Sequence, residues 1–527
     1  MRALDLRAAI RLNSSVMNNR DLFRALVAKA LASILVILIL GIVVSPALGQ
    51  QKPFEGVELP DTTAGKILRK WFAVIDSGNE EELKRFVADN FSANAFRFQR
   101  SAADYVAFFR KLHEQSGGLE IVQVRPESVG RPLSIIARSK RGGHFALVQA
   151  GPDNAEKEKL FGLGVEKAES PFAPKLAELL QKLSEQQMIA AIKKDLDRRA
   201  AAGDFSGVVL IAKDDRILLH KAYGFADRER KIPNNLDTTF HLASVGKMFT
   251  AVAIAKLFKE GKLSYTDTVA RVFPEYPNKA VAEKVTIRQL LTHTAGFGTF
   301  FESPGFVKGR TYANATDEIP VYSNEKLFFE PGARWRYSNA GYSLLGAIIE
   351  HVTGKPYLQY IRETILQPLG MTQTDRNSPG KVAPNTSILY TQSENDPLGL
   401  EPYLPDKTLV NTQARGFGDG FSTARDLFKF LRAYRTGKLL GPEAIAEMVN
   451  SKVNIDANGT RRYAYGIQES DSNGQVVRGH SGGGRTDAQM LWDSGYTIIM
   501  QINANPPAVT AVSNEIINFI TKQNAMR

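Results

Sequence analysis

The stretch "SVGKMFTAVAIAKLFKEGKL", Ser244 to Leu263, is the most constraining part of the chain. Its residues are apolar at almost every position from Met248 to Phe258, so it predicts a helix that must be buried on most sides. Gly261 suits the C-cap of that helix. Ser244 and Lys247 stand three residues apart at its head, on one face, where an amine can take a hydroxyl proton. A serine in the first turn of a buried helix also sits among backbone N–H groups that favour a developing oxyanion. Taken alone, the pair is equally compatible with a plain N-cap serine beside a surface lysine.

Two other Ser-x-x-Lys runs lack this setting. Ser378 to Lys381 encloses Pro379 and Gly380 and is followed by Pro384, which breaks any helix. Ser323 to Lys326 runs within five residues into Pro331-Gly332-Ala333.

The tripeptide Tyr-Ser-Asn occurs twice, and the same reasoning separates the copies. Tyr337 lies in "FEPGARWRYSNAGYSLLGAIIEHVTG", which reads as a Pro-Gly turn, a short strand and a new apolar helix. A loop tip between rigid elements is where reactive groups are presented, so Tyr337 and Asn339 are the candidate pair. Tyr322 lies in a polar connection and is expected to be a loop residue. A third element, "VVRGHSGGGRTD" from Val476 to Asp487, reads as an apolar strand ending in His480-Ser481-Gly482. Its glycines would let a substrate lie against the strand edge, although a turn accounts for them equally well.

At 527 residues the chain is too long for one core, and two or three domains are expected. Residues 52–168 read as a small α+β unit. Helical periodicity in "AGKILRKWFAVID", "EELKRFVADNF" and "SAADYVAFFRKLHEQ" is followed by the strand-like runs "LEIVQV", "LSIIAR", "HFALVQA" and "LFGLGVE". This order resembles the cone-shaped nuclear-transport-factor-2-like (NTF2-like) domains, which implies a structural or partner-binding role. His113 and His144 in it are expected at the surface or in packing. A second domain spans 172–527. Residues 172–200 predict a long helix, and "GVVLIAKDDRILLHKAYG" predicts a hairpin. Ser422 reads as a helix start with Asp426 in the first turn, and His241 and His293 as wall or packing residues.

Residues 1–49 form a separate leader. Arg2, Arg7, Arg11, Arg20, Arg24 and Lys29 precede the fourteen-residue apolar run Leu31 to Val44, and small residues follow at Ala47 and Gly49. This is the pattern of a secretory signal peptide, with an uncleaved inner-membrane anchor as the alternative, and it predicts a periplasmic or secreted protein. The net charge is +12; the leader contributes six basic and two acidic residues, leaving about +8 spread without a stripe. That distribution excludes nucleic acid as the expected partner. Cysteine is absent, so an exported chain must rely on its cores without disulfides.

Ser244-x-x-Lys247, Tyr337-Ser338-Asn339 and His480-Ser481-Gly482, in this order, resemble the serine β-lactamase and penicillin-binding-protein superfamily. The likeness is greatest to the branch holding class C β-lactamases, D-amino-acid peptidases and lipolytic esterases. "VTIRQLLTHTAGFG", "LQPLGMTQTD" and "GFGDGFSTARDLFKF" support it. The resemblance implies a mixed α/β (α+β) fold, an antiparallel sheet flanked by helices with a helical subdomain. It implies that Ser244 is the nucleophile and forms an acyl-enzyme, that Lys247 and Tyr337 share its proton, and that Asn339 orients substrate or Lys247. It further implies an oxyanion hole from the N–H groups of Ser244 and Gly483, with His480, Ser481 and Gly482 on the substrate side. No cofactor or metal is implied. The expected substrate is a small ester, a D-peptide or a β-lactam.

Histidine stands at 480 where β-lactamases of the superfamily carry a lysine that helps to bind the substrate carboxylate. An unperturbed imidazole titrates near pH 6.5, so neutral esters are expected to outrun penicillins, and anionic substrates to bind better as the pH falls. An esterase or D-amino-acid peptidase is therefore the leading reading, with a class C-like β-lactamase and a non-turnover penicillin-binding sensor as alternatives. A different hydrolase reading, in which "GHSGG" forms a nucleophile elbow at Ser481, fails because no histidine follows Ser481 and a strand-like run replaces the required helix.

Overall fold

A computed structural model describes residues 57–526, apart from 126–131, 154, 173–174, 300, 302, 304, 308–309, 311, 376–381, 394, 407–414 and 506–507. The leader 1–49 and the run Ser378 to Lys381 lie outside the described residues. The chain divides into two compact units at Ala168 and Glu169.

The first unit begins with helices Thr63–Ser77, Glu80–Asn90, Ala93–Phe98 and Ala102–Ser116. Strands Leu119–Val124, Leu133–Ser139, Phe145–Pro152 and Leu160–Ala168 follow, paired antiparallel in sequence order. The helix ends follow their local chemistry. The Ser101 hydroxyl accepts from Asp104 N–H, and Gly117 closes the same helix at φ 62°. The core is aromatic, with Trp71 and Phe109 rings 5.6 Å apart and Phe91 and Tyr105 4.3 Å apart. Helix Ala93–Phe98, capped by Ser92, was not anticipated.

The second unit is built on an eight-stranded antiparallel sheet. In spatial order its strands are Val453–Asn454, Arg461–Tyr463, Gln468–Ser472, Gln475–Gly482, Thr486–Leu491, Tyr496–Ile502, Gly207–Lys213 and Arg216–Tyr223. Strand Gly207–Lys213 shows why both faces are covered. Val208, Leu210 and Ala212 enter one core while Val209 and Ile211 enter the other. The second core is closed by helices Glu185–Ala201 and Val509–Ala525; the first is closed by Lys247–Lys259, Asn339–Thr353 and Ala424–Arg435. Among the described residues no helix is long and apolar enough to cross a membrane.

Four expectations are corrected. The helix predicted over 172–200 begins only at Glu185, because Ser184 and Gln187 form a capping box there. Upstream, Leu176 and Leu183 pack into the second core as irregular chain with one 3-10 turn. No strand precedes Tyr337; residues 334–338 belong to no helix or strand, and the Arg336 N–H donates to the His293 carbonyl oxygen. Tyr322 is not a loop residue but ends a short helix, Ile319–Tyr322, and is fully buried. The helix near Ser422 is capped by Thr423, while Ser422 pairs in a two-residue strand.

Candidate active site

Ser244 sits in a 3-10 turn, Ala243–Gly246, that leads directly into helix Lys247–Lys259. The turn is wedged between two glycine approaches. A Cβ at Gly482 would stand 2.1 Å from the Leu242 carbonyl oxygen and 3.1 Å from Ser244 N. A Cβ at Gly418 would stand 2.3 Å from the Ala243 carbonyl oxygen. Ala243 itself adopts φ 45°, a left-handed conformation that L-residues adopt only at a cost of roughly 1–2 kcal/mol. Such strain persists only where the surroundings fix it, and here both flanks do.

Lys247 is completely buried. Its Nζ lies 2.7 Å from Asn339 Oδ1, 2.5 Å from the Phe417 carbonyl oxygen and 3.2 Å from Ser244 Oγ. Burial drives its pKa well below the ordinary 10.5, only partly countered by the charge of Asp419. The two oxygens from Asn339 and Phe417 can only accept. A neutral amine has two N–H groups and one lone pair, so satisfying both acceptors leaves the lone pair for the Ser244 hydroxyl.

Asn339 is the first residue of helix Asn339–Thr353, and Ser338 caps that helix by accepting from Gly341 N–H. Asn339 Nδ2 donates to Thr299 Oγ1 at 3.3 Å, which fixes the amide with its oxygen towards Lys247. The Tyr337 ring lies 4.8 Å from Lys247 Nζ. Its enclosed hydroxyl makes no hydrogen bond of good geometry, yet it lies near enough to Ser244 to feel it. Burial pushes its pKa up and Ser244 pulls it back only in part. The two groups are thus driven apart, the lysine towards neutrality and the tyrosine towards retaining its proton.

Several contributors were not foreseen. His293, at φ 60°, accepts the Ser338 N–H through Nδ1 at 3.1 Å and packs 4.4 Å from the Tyr337 ring. It therefore buttresses the tripeptide rather than only filling space. The Phe417 carbonyl is held by a turn in which Arg415 and Gly418 pair backbone to backbone. Arg415 also donates to Asp419 and to Glu318, and Asp419 Oδ1 lies 3.2 Å from His241 Nε2. Nothing in the sequence marked the Phe417 carbonyl as a partner for Lys247.

His480 departs from expectation. It is fully enclosed, with Nε2 3.0 Å from the Tyr463 hydroxyl and Nδ1 2.7 Å from the Ser481 carbonyl oxygen. Burial, with Lys247 nearby, holds its pKa down to about 3. It backs Tyr337, with ring centroids 6.4 Å apart, and does not border open space. An enclosed imidazole held towards neutrality does not support the expected pH-dependent binding of anions.

The strand edge beside it is open in a limited way. Pairing with Gln468–Ser472 stops at Gly479, whereas pairing on the other side with Thr486–Leu491 continues to Gly482. Residues 480–482 thus extend beyond their neighbour on one side. Gly483 follows at φ 53°. Ser481 is followed by a turn and strand Thr486–Leu491, which removes the nucleophile-elbow reading. Among the described residues, no group of three acidic or histidine side chains is placed to hold a metal ion.

The model of the beta-lactamase family matches residues 187–521. The chain belongs to the beta-lactamase family. It is 34% identical over 294 residues to a penicillin-binding protein of Bacillus subtilis (strain 168), covering 53% of this chain and 63% of that protein. It therefore spans less than two thirds of that relative's length. Among solved structures, the penicillin binding protein from Bacillus halodurans aligns with TM-score 0.54 and 25% identity, over 63% of this chain and 98% of that one. A D-stereospecific amidohydrolase from Streptomyces sp. aligns with TM-score 0.52 and 27% identity, over 62% of this chain and 97% of that one. The antiparallel sheet with helices on both faces is the fold of this family, which places the chain in the serine β-lactamase and penicillin-binding-protein superfamily.

Proposed function

We propose that the chain is an exported serine hydrolase acting through an acyl-enzyme on Ser244, with esters or D-amino-acid amides and peptides as substrates. The observation that carries this reading is the hydrogen bonding of Lys247, whose buried amine has two fixed acceptors and only Ser244 left for its lone pair. Ser244 Oγ attacks the substrate carbonyl carbon and its proton passes to Lys247. The oxyanion is received by the N–H groups of Ser244 and Gly483. Tyr337 gives its proton to the leaving group as the carbonyl–leaving-group bond breaks, and Lys247 restores that proton to Tyr337. Water then attacks the acyl-enzyme by the same route in reverse. Asn339 orients Lys247, and His480 with His293 supports Tyr337.

The neutral, enclosed His480 supplies no charge for a substrate carboxylate, which favours esters and amides over penicillins. A class C-like β-lactamase and a non-turnover penicillin-binding sensor are the readings to be separated from this one. The separating experiment uses protein lacking residues 1–49. Wild type should be labelled by a fluorophosphonate and turn over a nitrophenyl ester, while Ser244→Ala is not labelled. Efficient cephalosporin hydrolysis would make the chain a β-lactamase. One product equivalent without turnover would make it a sensor. Persistent labelling of Ser244→Ala would remove Ser244 as nucleophile.

A further inference from the structure

A cavity of about 460 Å³ opens beside the candidate site, with Tyr337, Trp335 and Ser481 among its walls. It runs over strands Gln468–Ser472, Gln475–Gly482 and Thr486–Leu491 towards helix Val509–Ala525. Its size suits a substantial part of a small ligand. Its chemistry is unusual for a site in a superfamily noted for binding carboxylates.

Five lining side chains on the strands are amides or hydroxyls, Gln468 and Gln489 among them, and three more, Thr510, Asn514 and Asn518, come from the helix. The Trp335 indole N–H is enclosed and has no hydrogen-bond partner among the described residues. The charged side chains of the lining are one cation and three carboxylates, Glu469, Asp471 and Asp487. Among the lining residues the one cation is Arg461, which is exposed and paired with Asp456 at 3.4 Å. Glu469 is enclosed by Lys452, Arg462 and Arg478. Asp487 is buried and accepts from Gln489, and burial pushes its pKa up. Asp471 lies exposed at the outer end, accepting from Gly474 N–H.

Such a lining offers many neutral donors and acceptors, and its one cation is already paired. A carboxylate placed there would lose its water without gaining a cation. An alkyl chain would leave the indole N–H and the remaining hydrogen-bonding capacity of the amides unpaired. In the proposed mechanism Tyr337 protonates the leaving group, so the cavity it walls lies on the leaving-group side.

We infer that this cavity receives an uncharged, amide-bearing leaving group, such as the interior of a peptide or an amino-acid amide, rather than a terminal free carboxylate. The inference rests on the proposed acyl-enzyme reading. It narrows the substrate class from esters and peptides in general to amidase-like or endopeptidase-like cleavage.

The test uses four thioesters of one acyl group, phenylacetyl, whose thiols are mercaptoacetamide, mercaptoacetate, thiocholine and propanethiol. Thiol release is read directly, since the protein contributes no cysteine. The expected result is a kcat/KM for the mercaptoacetamide thioester about tenfold above those of the other three, a gain on the scale of one or two hydrogen bonds. Gln468→Leu should lower the ratio of amide to propyl turnover, and Asn514→Lys should raise the ratio of carboxylate to amide turnover. Comparing ratios between variants cancels the intrinsic reactivities of the thiols. Faster turnover of the mercaptoacetate, thiocholine or propyl thioester by wild type would overturn the inference, as would ratios unchanged in both variants. Absence of turnover of all four thioesters, together with absence of fluorophosphonate labelling, would instead overturn the acyl-enzyme reading on which it rests.

Discussion

The backbone carbonyl of Phe417 accepts a hydrogen bond of 2.5 Å from Lys247 Nζ across 170 residues of sequence. A backbone acceptor cannot be replaced by mutation, so its support is the part open to test. That support is the turn tied by Arg415 and Asp419. Asp419 also raises the pKa of Lys247 against the stronger effect of burial. Asp419→Asn removes that charge, so the lysine loses its proton at lower pH, and the acidic limb of the kcat/KM profile should move to lower pH. The loosened turn should at the same time lower kcat by about tenfold or more, as misplacement of a reacting group does. A pH–rate profile of wild type and variant on a neutral ester checks both. An acidic limb that moves up in pH would contradict the assignment of Lys247 as the base.

The duplicated tripeptide gives a paired test. Tyr337→Phe should lower kcat by about 10²–10⁴, the usual range for loss of a general acid. Tyr322→Phe should leave kcat near wild type, since Tyr322 is buried on helix Ile319–Tyr322 in the helical core. Steady-state kinetics on one ester suffices. Equal losses at both positions would reverse the choice between the copies.

Neighbouring glycines at the strand end should respond differently. A Cβ at Gly482 meets the Leu242 carbonyl oxygen at 2.1 Å, a backbone clash that must push the strand away from the Ser244 turn. Gly483 has only the Ala243 Cβ at 3.4 Å, and its cost is conformational, at φ 53°. Gly482→Ala should therefore slow fluorophosphonate labelling by at least about 100-fold, a scale set by loss of an oxyanion donor. Gly483→Ala should slow it far less. Labelling rates on protein shown to be folded by circular dichroism provide the measurement, and faster labelling of Gly482→Ala than of Gly483→Ala would contradict it.

Glu469 offers a test of stability. Its side chain is enclosed and contacted by Lys452 at 2.6 Å, Arg462 at 2.6 Å and Arg478 at 2.7 Å. Burial opposes its charge, but the three cations win and hold its pKa at about 2, below the ordinary 4.5. A lowered carboxylate pKa means the folded state binds fewer protons than the unfolded state between these values. The contribution is therefore complete above pH 4.5 and disappears as the pH falls towards 2. Glu469→Gln should cost about 3–5 kcal/mol at pH 7, as for any buried ion pair broken on one side. The deficit should shrink as the pH is lowered from 5 to 3. Urea unfolding at several pH values checks this, and a deficit independent of pH would show that the charge is not the cause.

Much of this architecture was legible because it depends on local rules. Ser101 and Gly117 bounded their helix, and the spacing of Ser244 and Lys247 placed both at one helix end. Tyr337 and Asn339 could be chosen over their copy because an apolar helix begins at Asn339. What escaped was decided by tertiary contact. The helix start at Glu185 depends on Ser184 and Gln187, while the residues before it are held by packing against a helix more than 300 residues later. The strand that ends in His480-Ser481-Gly482 was legible, but not that Tyr463 would seal the imidazole. The Phe417 carbonyl had no side-chain signature at all, since every residue carries the same acceptor.

The complete burial of Lys247 has a consequence for the energetics of the whole protein. In the unfolded chain this lysine is solvated and charged at neutral pH, whereas folding drives it towards the neutral amine. Between its lowered folded value and 10.5, the unfolded state binds the extra proton, so each folding event releases acid at this one position and stability rises with pH over that interval. The group that most needs the fold in order to become a base is thus one that the fold is weakened by holding, and acidification loosens the protein by restoring a charge that its interior has no room to solvate.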